Sequence, residues 1–120
     1  MRKIFFTIVL ALMINAQVAA QDVWISSGGN GSEWYIMDET PEGDANGKFR
    51  WVNVDAKLVT GDSFQIVSWK FTQIKPDGGR LANWVYDIDW GDGKRYSDNE
   101  VLEGTNAEKI LLYCLDRLRI

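Results

Sequence analysis

The sequence predicts an α+β fold: a small antiparallel β-sheet of about six strands with one C-terminal α-helix packed on one face. Three observations lead there. Ala82, Trp84, Tyr86, Ile88 and Trp90 share one parity, while Asn83, Asp87 and Asp89 share the other. That is the period of a strand with one buried and one wet face. Thr105 to Leu118 is the one strongly amphipathic helical stretch after the N-terminal apolar run. Between the ends, short runs of sheet-favouring residues alternate with turn signals rich in Gly, Asp and Pro.

In chain order, the first twenty residues are set aside. Arg2 and Lys3 form a positive start, Ile4 to Ile14 is apolar, and Val18-Ala19-Ala20 offers small residues for a signal peptidase. Residues 1–20 are therefore expected to be a signal peptide, with cleavage before Gln21. The apolar run is too short for a spanning helix, which needs about 20 residues, so no membrane span is expected after processing. Residues 21–120 form a single domain, large enough to bury one core. Of thirteen basic residues the leader takes Arg2 and Lys3, so eleven face seventeen acidic ones and the mature net charge is −6. An acidic domain without a basic cluster is not expected to bind nucleic acid or anionic membrane.

Val23-Trp24-Ile25 reads as a first strand and Ser26 to Ser32 as a glycine-rich turn, without the spacing of a phosphate cradle. Glu33 to Met37 is the second strand. Asp38 to Gly47 is expected to be an acidic surface loop. Its Asp38, Glu42, Asp44 and Asn46 fit no EF-hand spacing. Lys48 to Leu58 is the third strand, with Val52, Val54, Ala56 and Leu58 inward, and Asn53, Asp55 and Lys57 on the wet side. Trp51 falls on the polar parity and is expected to be partly exposed. Thr60-Gly61-Asp62 turns the chain.

Ser63 to Ile74 is the fourth strand. Its apolar parity slips between Phe64 and Ile66 on one phase and Val67, Trp69 and Phe71 on the other. A β-bulge at Ile66-Val67 would restore one apolar face, and is expected. Lys75 to Gly79 is a turn. The hairpin strand follows, then a turn at Gly91-Asp92-Gly93 and a return strand ending near Asp98. The run from Asp87 misses the glycine and glutamate an EF-hand loop requires.

The helix opens on a capping box, Thr105 with Glu108. Ala107, Ile110, Leu111, Cys114, Leu115 and Leu118 make one apolar stripe. The parity of Trp84, Tyr86 and Ile88 offers it a sheet face. Cys114, the single cysteine, is expected to be buried in that contact.

The sequence excludes several chemistries. There is no histidine, so neither a Ser-His-Asp or Cys-His centre nor a His-ligated metal site is available. Asp87 and Asp89 share a strand face about 7 Å apart, which reads as the wet side of that strand rather than a catalytic pair. No catalytic residue, metal or cofactor is expected. Six tryptophans are more than a domain of this size readily hides, and surplus exposed aromatics form binding surfaces. Trp51, Trp34 and Trp90 are the candidate ligand-binding residues.

With these elements placed, the chain resembles the surface-adhesin protein E family of exported bacterial proteins. The likeness rests on Trp24, then Trp34-Tyr35-Ile36-Met37-Asp38, Phe49-Arg50-Trp51-Val52, Tyr86-Asp87 with Gly91 and Tyr96-Ser97, and the helix carrying Cys114. The family pattern has a second, mid-chain cysteine, where this chain reads Ser68-Trp69-Lys70. The resemblance implies an antiparallel sheet with a C-terminal helix on it, and adhesion to host extracellular proteins. The expected product is a periplasmic, secreted or cell-surface binding protein without enzymatic activity. Its partner is a protein, or alternatively a carbohydrate or cell-wall glycan stacked on tryptophan; a homodimer also stays open.

Overall fold

A computed structural model of the chain describes residues 21–45, 49–75 and 78–120. The expected signal peptide, the end of the acidic loop at Asn46 and Gly47, Lys48 at the start of the predicted third strand, and Pro76-Asp77 of the predicted turn lie outside the described residues. The strands are β1 (Asp22–Ser27), β2 (Glu33–Met37), β3 (Glu42–Asp44), β4 (Trp51–Thr60), β5 (Ser63–Gln73), β6 (Trp84–Asp89) and β7 (Arg95–Glu100). The helix, α1, is Asn106–Leu118. The chain is α+β, as its periodicity predicts: a seven-stranded sheet ordered β1-β2-β4-β5-β6-β7, with β3 beside β4. Every pairing is antiparallel.

The extra strand corrects the expectation of a loop after Asp38. β2 pairs with β4 from Val59 to Ala56, and β3 takes over the same edge from Asn53 to Trp51. Three residues in an acidic stretch carry no readable period; the free edge of β4 imposes the pairing. Thr40 closes the gap between the two strands, its Oγ1 accepting from the Asp55 N–H at 2.9 Å. That satisfies a donor which neither β2 nor β3 reaches.

The expected bulge at Ile66-Val67 is absent. β4 and β5 pair without a slip from Trp51 opposite Thr72 to Thr60 opposite Ser63. Phe64 and Ile66 therefore point away from the helix and stay 44% and 43% exposed, while Val67, Trp69 and Phe71 point toward it and are buried. The slip in parity marks a change in which face carries apolar residues, not an inserted residue. Register shifts occur instead in β1, between Trp24 and Ser26, and in β7, where three steps from Asn99 to Tyr96 oppose two from Tyr86 to Ile88.

The helix begins and ends as its sequence dictates. Thr105 caps it, its side chain accepting from the Glu108 N–H at 3.3 Å. Glu108 reaches back to the Gly104 N–H at 3.0 Å, one residue before the usual partner in a capping box. At the other end Arg119 turns left-handed, at φ 60°, and the Ile120 N–H bonds the Leu115 carbonyl at 2.9 Å. Ile110, Leu111, Cys114 and Leu115 are fully buried against Ile36, Val52, Ala56, Val67 and Phe71.

Two expectations about faces need correcting. The helix packs chiefly on β1, β3 and β4 rather than over Tyr86, and so leaves part of its own sheet face open toward β7. Tyr113 and Arg117 hold it there by bonding Asp38, at 2.6 and 3.2 Å. Lys57, expected on the wet side, is buried, with its Nζ 2.9 Å from Asp22 Oδ2 and 5.2 Å from the Phe64 ring centroid. Tyr35 and Ile66 flank it in the pairing and shield its stem.

Candidate functional sites on the two sheet faces

Antiparallel partners put their side chains on the same face, so the pairing register lays out both surfaces. On the helix-free face one row runs Trp24, Tyr35, Lys57, Ile66 across β1, β2, β4 and β5. The next row places Val59 beside Phe64. Trp24 is 54% exposed. Its indole N–H donates to Glu33 Oε1 at 2.6 Å, which fixes the ring on the surface. The row spans roughly 14 Å, three strand spacings. A depression of about 570 Å³ adjoins it, between Phe64 and Ile66 and the Gly91-Asp92 turn.

Asp55, Asp87 and Asp89 lie lower on the same face, where their carboxylates serve the fold. Asp55 accepts from the Ser68 hydroxyl at 2.8 Å, and Asp87 from the Asp98 N–H at 2.9 Å. Asp89 accepts from the Gly91 N–H at 2.9 Å and pairs with Arg95 at 3.1 Å. Asp92 accepts from the Lys94 N–H at 3.0 Å, completing the β6–β7 turn.

The second site lies on the helix face, where α1 leaves it uncovered. A cleft of about 310 Å³ opens between the β6–β7 end of the sheet and the start of the helix. Trp34, Trp69 and Ile88 form its floor, and Tyr86, Trp90 and Tyr96 its wall. Trp34 meets Trp69 edge-on at 5.5 Å and Trp90 at 5.9 Å between ring centroids. Trp69 and Tyr86 are 5.1 Å apart. Burial pushes the Tyr86 phenol above its ordinary pKa. Asn99, Thr105 and Asn106 supply a polar rim. Among the described residues that line the cleft, none is charged.

The three candidate tryptophans divide between these surfaces. Trp34 and Trp90 meet at the cleft, where Trp34, only 5% exposed, belongs to the core as well as to the lining. Its parity on β2 points it under the helix. Trp51 is 37% exposed, as its parity predicts, yet it sits on the opposite face and joins neither aromatic cluster. Trp24, Phe64 and Ile66 do not stand out from the sequence as binding residues. A three-residue apolar run gave no orientation for Trp24, and the assumed bulge turned Phe64 and Ile66 inward. Trp69, Tyr86 and Tyr96 were also missed as lining residues, because alternation alone reads them as core.

Cys114 is fully buried in the helix contact, and burial, with the Asp38 charge adding to it, pushes its thiol up to about 12. The thiolate is correspondingly suppressed at neutral pH. Among the described residues no helix is long and apolar enough to cross a membrane. Comparison with protein-family models, with curated proteins and with solved structures finds no match to this chain.

Proposed function

We propose that this chain is an exported, non-enzymatic binding protein of the surface-adhesin protein E kind, which docks an extracellular protein on the helix-free face of its sheet. One observation carries this reading. Trp24, Phe64 and Ile66 stand exposed on that face, with half-buried Tyr35, Met37 and Val59 beside them, and among the described residues nothing covers them. Apolar side chains held on a sheet, next to a depression, are the anatomy of a protein contact. The Asp89 and Asp92 carboxylates border that depression and the formal net charge is −4. The partner this face fits presents an apolar group flanked by lysine or arginine.

The test is a pull-down with the mature protein from extracellular-matrix and cell-wall extracts, comparing native protein with Phe64→Ser/Ile66→Ser, Trp24→Ala and Trp51→Ala. The double variant and Trp24→Ala are expected to lose the protein captured by the native chain while melting normally. Trp51→Ala, away from the patch, is expected to retain it. Capture undiminished in the Phe64→Ser/Ile66→Ser protein refutes the assignment of this face.

A further inference from the structure

We propose that the cleft on the helix face binds the ring of a neutral pyranose sugar. The site lies on the other side of the sheet from the docking face; Trp90 lines both the cleft and the depression beside Phe64, while Trp69, Asn99 and Asn106 line the cleft and not that depression, so variants at these tell the two proposals apart.

Three features of the cleft select this ligand class. The first is a buried donor. The Trp69 side chain lines the cleft, is 4% exposed as a residue, and its indole N–H has no hydrogen-bond partner among the described residues. Buried N–H groups are almost always bonded, and a ligand oxygen that reached this N–H would make the bond the described residues leave unmet.

The second is the state of the rim amides. Asn106 Oδ1 accepts from the Ser26 hydroxyl at 2.7 Å, which leaves its NH₂ to donate. Asn99 Nδ2 donates to the Tyr86 carbonyl at 3.3 Å, which leaves its oxygen to accept. The rim thus presents one fixed donor and one fixed acceptor. A hydroxyl satisfies both, because it donates and accepts; a ligand carrying only carbonyl or ether oxygens satisfies one.

The third is what the wall lacks and what it offers. Without a charged residue among those lining it, the cleft would strip water from an ionised ligand and return no counter-charge. The lining instead includes the aromatic side chains of Trp90 and exposed Tyr96, groups on which a ligand with one C–H face can stack. A volume of about 310 Å³ is at the low end for small-molecule sites, enough for one ring. Neutral, hydroxyl-rich on its edge and apolar on its face describes a pyranose.

The experiment follows the Trp69 indole N–H in a ¹⁵N–¹H correlation spectrum of the mature protein, assigned by its loss in Trp69→Phe. Glucose, galactose, mannose and N-acetylglucosamine are titrated in turn, with glucuronic acid as the charged counterpart. At least one neutral sugar is expected to shift that resonance saturably, and glucuronic acid is not. Asn99→Ala and Trp90→Ala should each weaken the shift-derived Kd by about tenfold, the size of one lost hydrogen bond or stacking contact. Trp69→Phe should weaken binding too, read from the other indoles, and should melt lower than native, because the smaller ring leaves a cavity among Trp34, Phe71 and Tyr86. Trp24→Ala, on the other face, should bind sugar normally. The proposal is overturned if no neutral sugar moves the Trp69 proton, if glucuronic acid moves it equally, or if Asn99→Ala and Trp90→Ala both bind as native.

Discussion

Truncating Leu115 to alanine tests whether α1 is held by its apolar stripe. Leu115 is fully buried within the cluster that includes Ile110, Leu111 and Cys114. Removing its outer carbons loses their transfer free energy and leaves a cavity the sheet cannot close, because strands hydrogen-bonded on both sides do not slide inward. Buried leucine truncations of this kind cost about 2.7–5.0 kcal/mol, and the fully enclosed position of Leu115 places it near 3 kcal/mol or above. For a domain of about 100 residues that is a fall in Tm of roughly 12–24 °C. In urea it is a fall in midpoint of roughly 1–3 M at an unchanged slope. Leu112 is the internal control: it sits on the same helix, 38% exposed, and Leu112→Ala should cost only about 0.5 kcal/mol. Equal losses at the two positions would mean that propensity rather than docking sets the cost, and the packing argument would be wrong.

Three further outcomes follow. Gly43→Ala places a Cβ 2.5 Å from the Trp51 carbonyl oxygen and 3.1 and 3.2 Å from methyls of Leu118 and Ile120. Since the nearest atom is backbone, β3 or the helix end must shift, at about 1–3 kcal/mol; a native urea midpoint would contradict the close approach. Alkaline pH should unfold the protein through Cys114 and Tyr113, raised from 9.0 and 10.0 respectively to about 12: Cys114 by burial and then the Asp38 charge, Tyr113 by burial, then its hydrogen bond to Asp38 and then the Asp38 charge. Folded pKa values above the unfolded ones mean this contribution is whole below pH 9 and disappears as pH climbs from 9 toward 12. Cys114→Ala should flatten the lower part of that slope in urea midpoints measured against pH, and an unaltered profile would argue against the thiol's share. Asp38 behaves oppositely, its carboxyl held below 3.8 by the Tyr113 hydrogen bond and then by Arg117. Its contribution is present above that pH and is lost as pH falls further, so Asp38→Asn should reduce the acid dependence of the melting temperature; an identical dependence in the variant would exclude the contact as its source.

How much of this was legible beforehand differs from element to element. β2 is legible to the residue, and α1 to its cap, because each carries its own period and its own end signals. β6 was placed by the alternation of Trp84, Tyr86 and Ile88, and its turn by Gly91 and Gly93, both of which adopt positive φ. The candidate sites were legible only in part. Six tryptophans announced a surplus of aromatic surface, and Trp51 was rightly placed outside. The grouping of Trp69, Tyr86, Trp90 and Tyr96 around one cleft was not readable, since it depends on where the helix stops covering the sheet.

The sequence by itself determined the class of fold, the faces of the long-period elements, the burial of the lone thiol and the want of a histidine-based centre. These follow from spacing and residue type, which act over a few neighbours. Only the tertiary structure decided that Glu42–Asp44 would pair with β4, that Lys57 would lie buried beside Asp22, and that Phe64 and Ile66 would face outward. It also decided the rim of the cleft, where Ser26 orients Asn106 from 80 residues away. A strand's edge partner and an amide's free atom are set by whatever the folded chain brings alongside. Local periodicity contains no record of that neighbour.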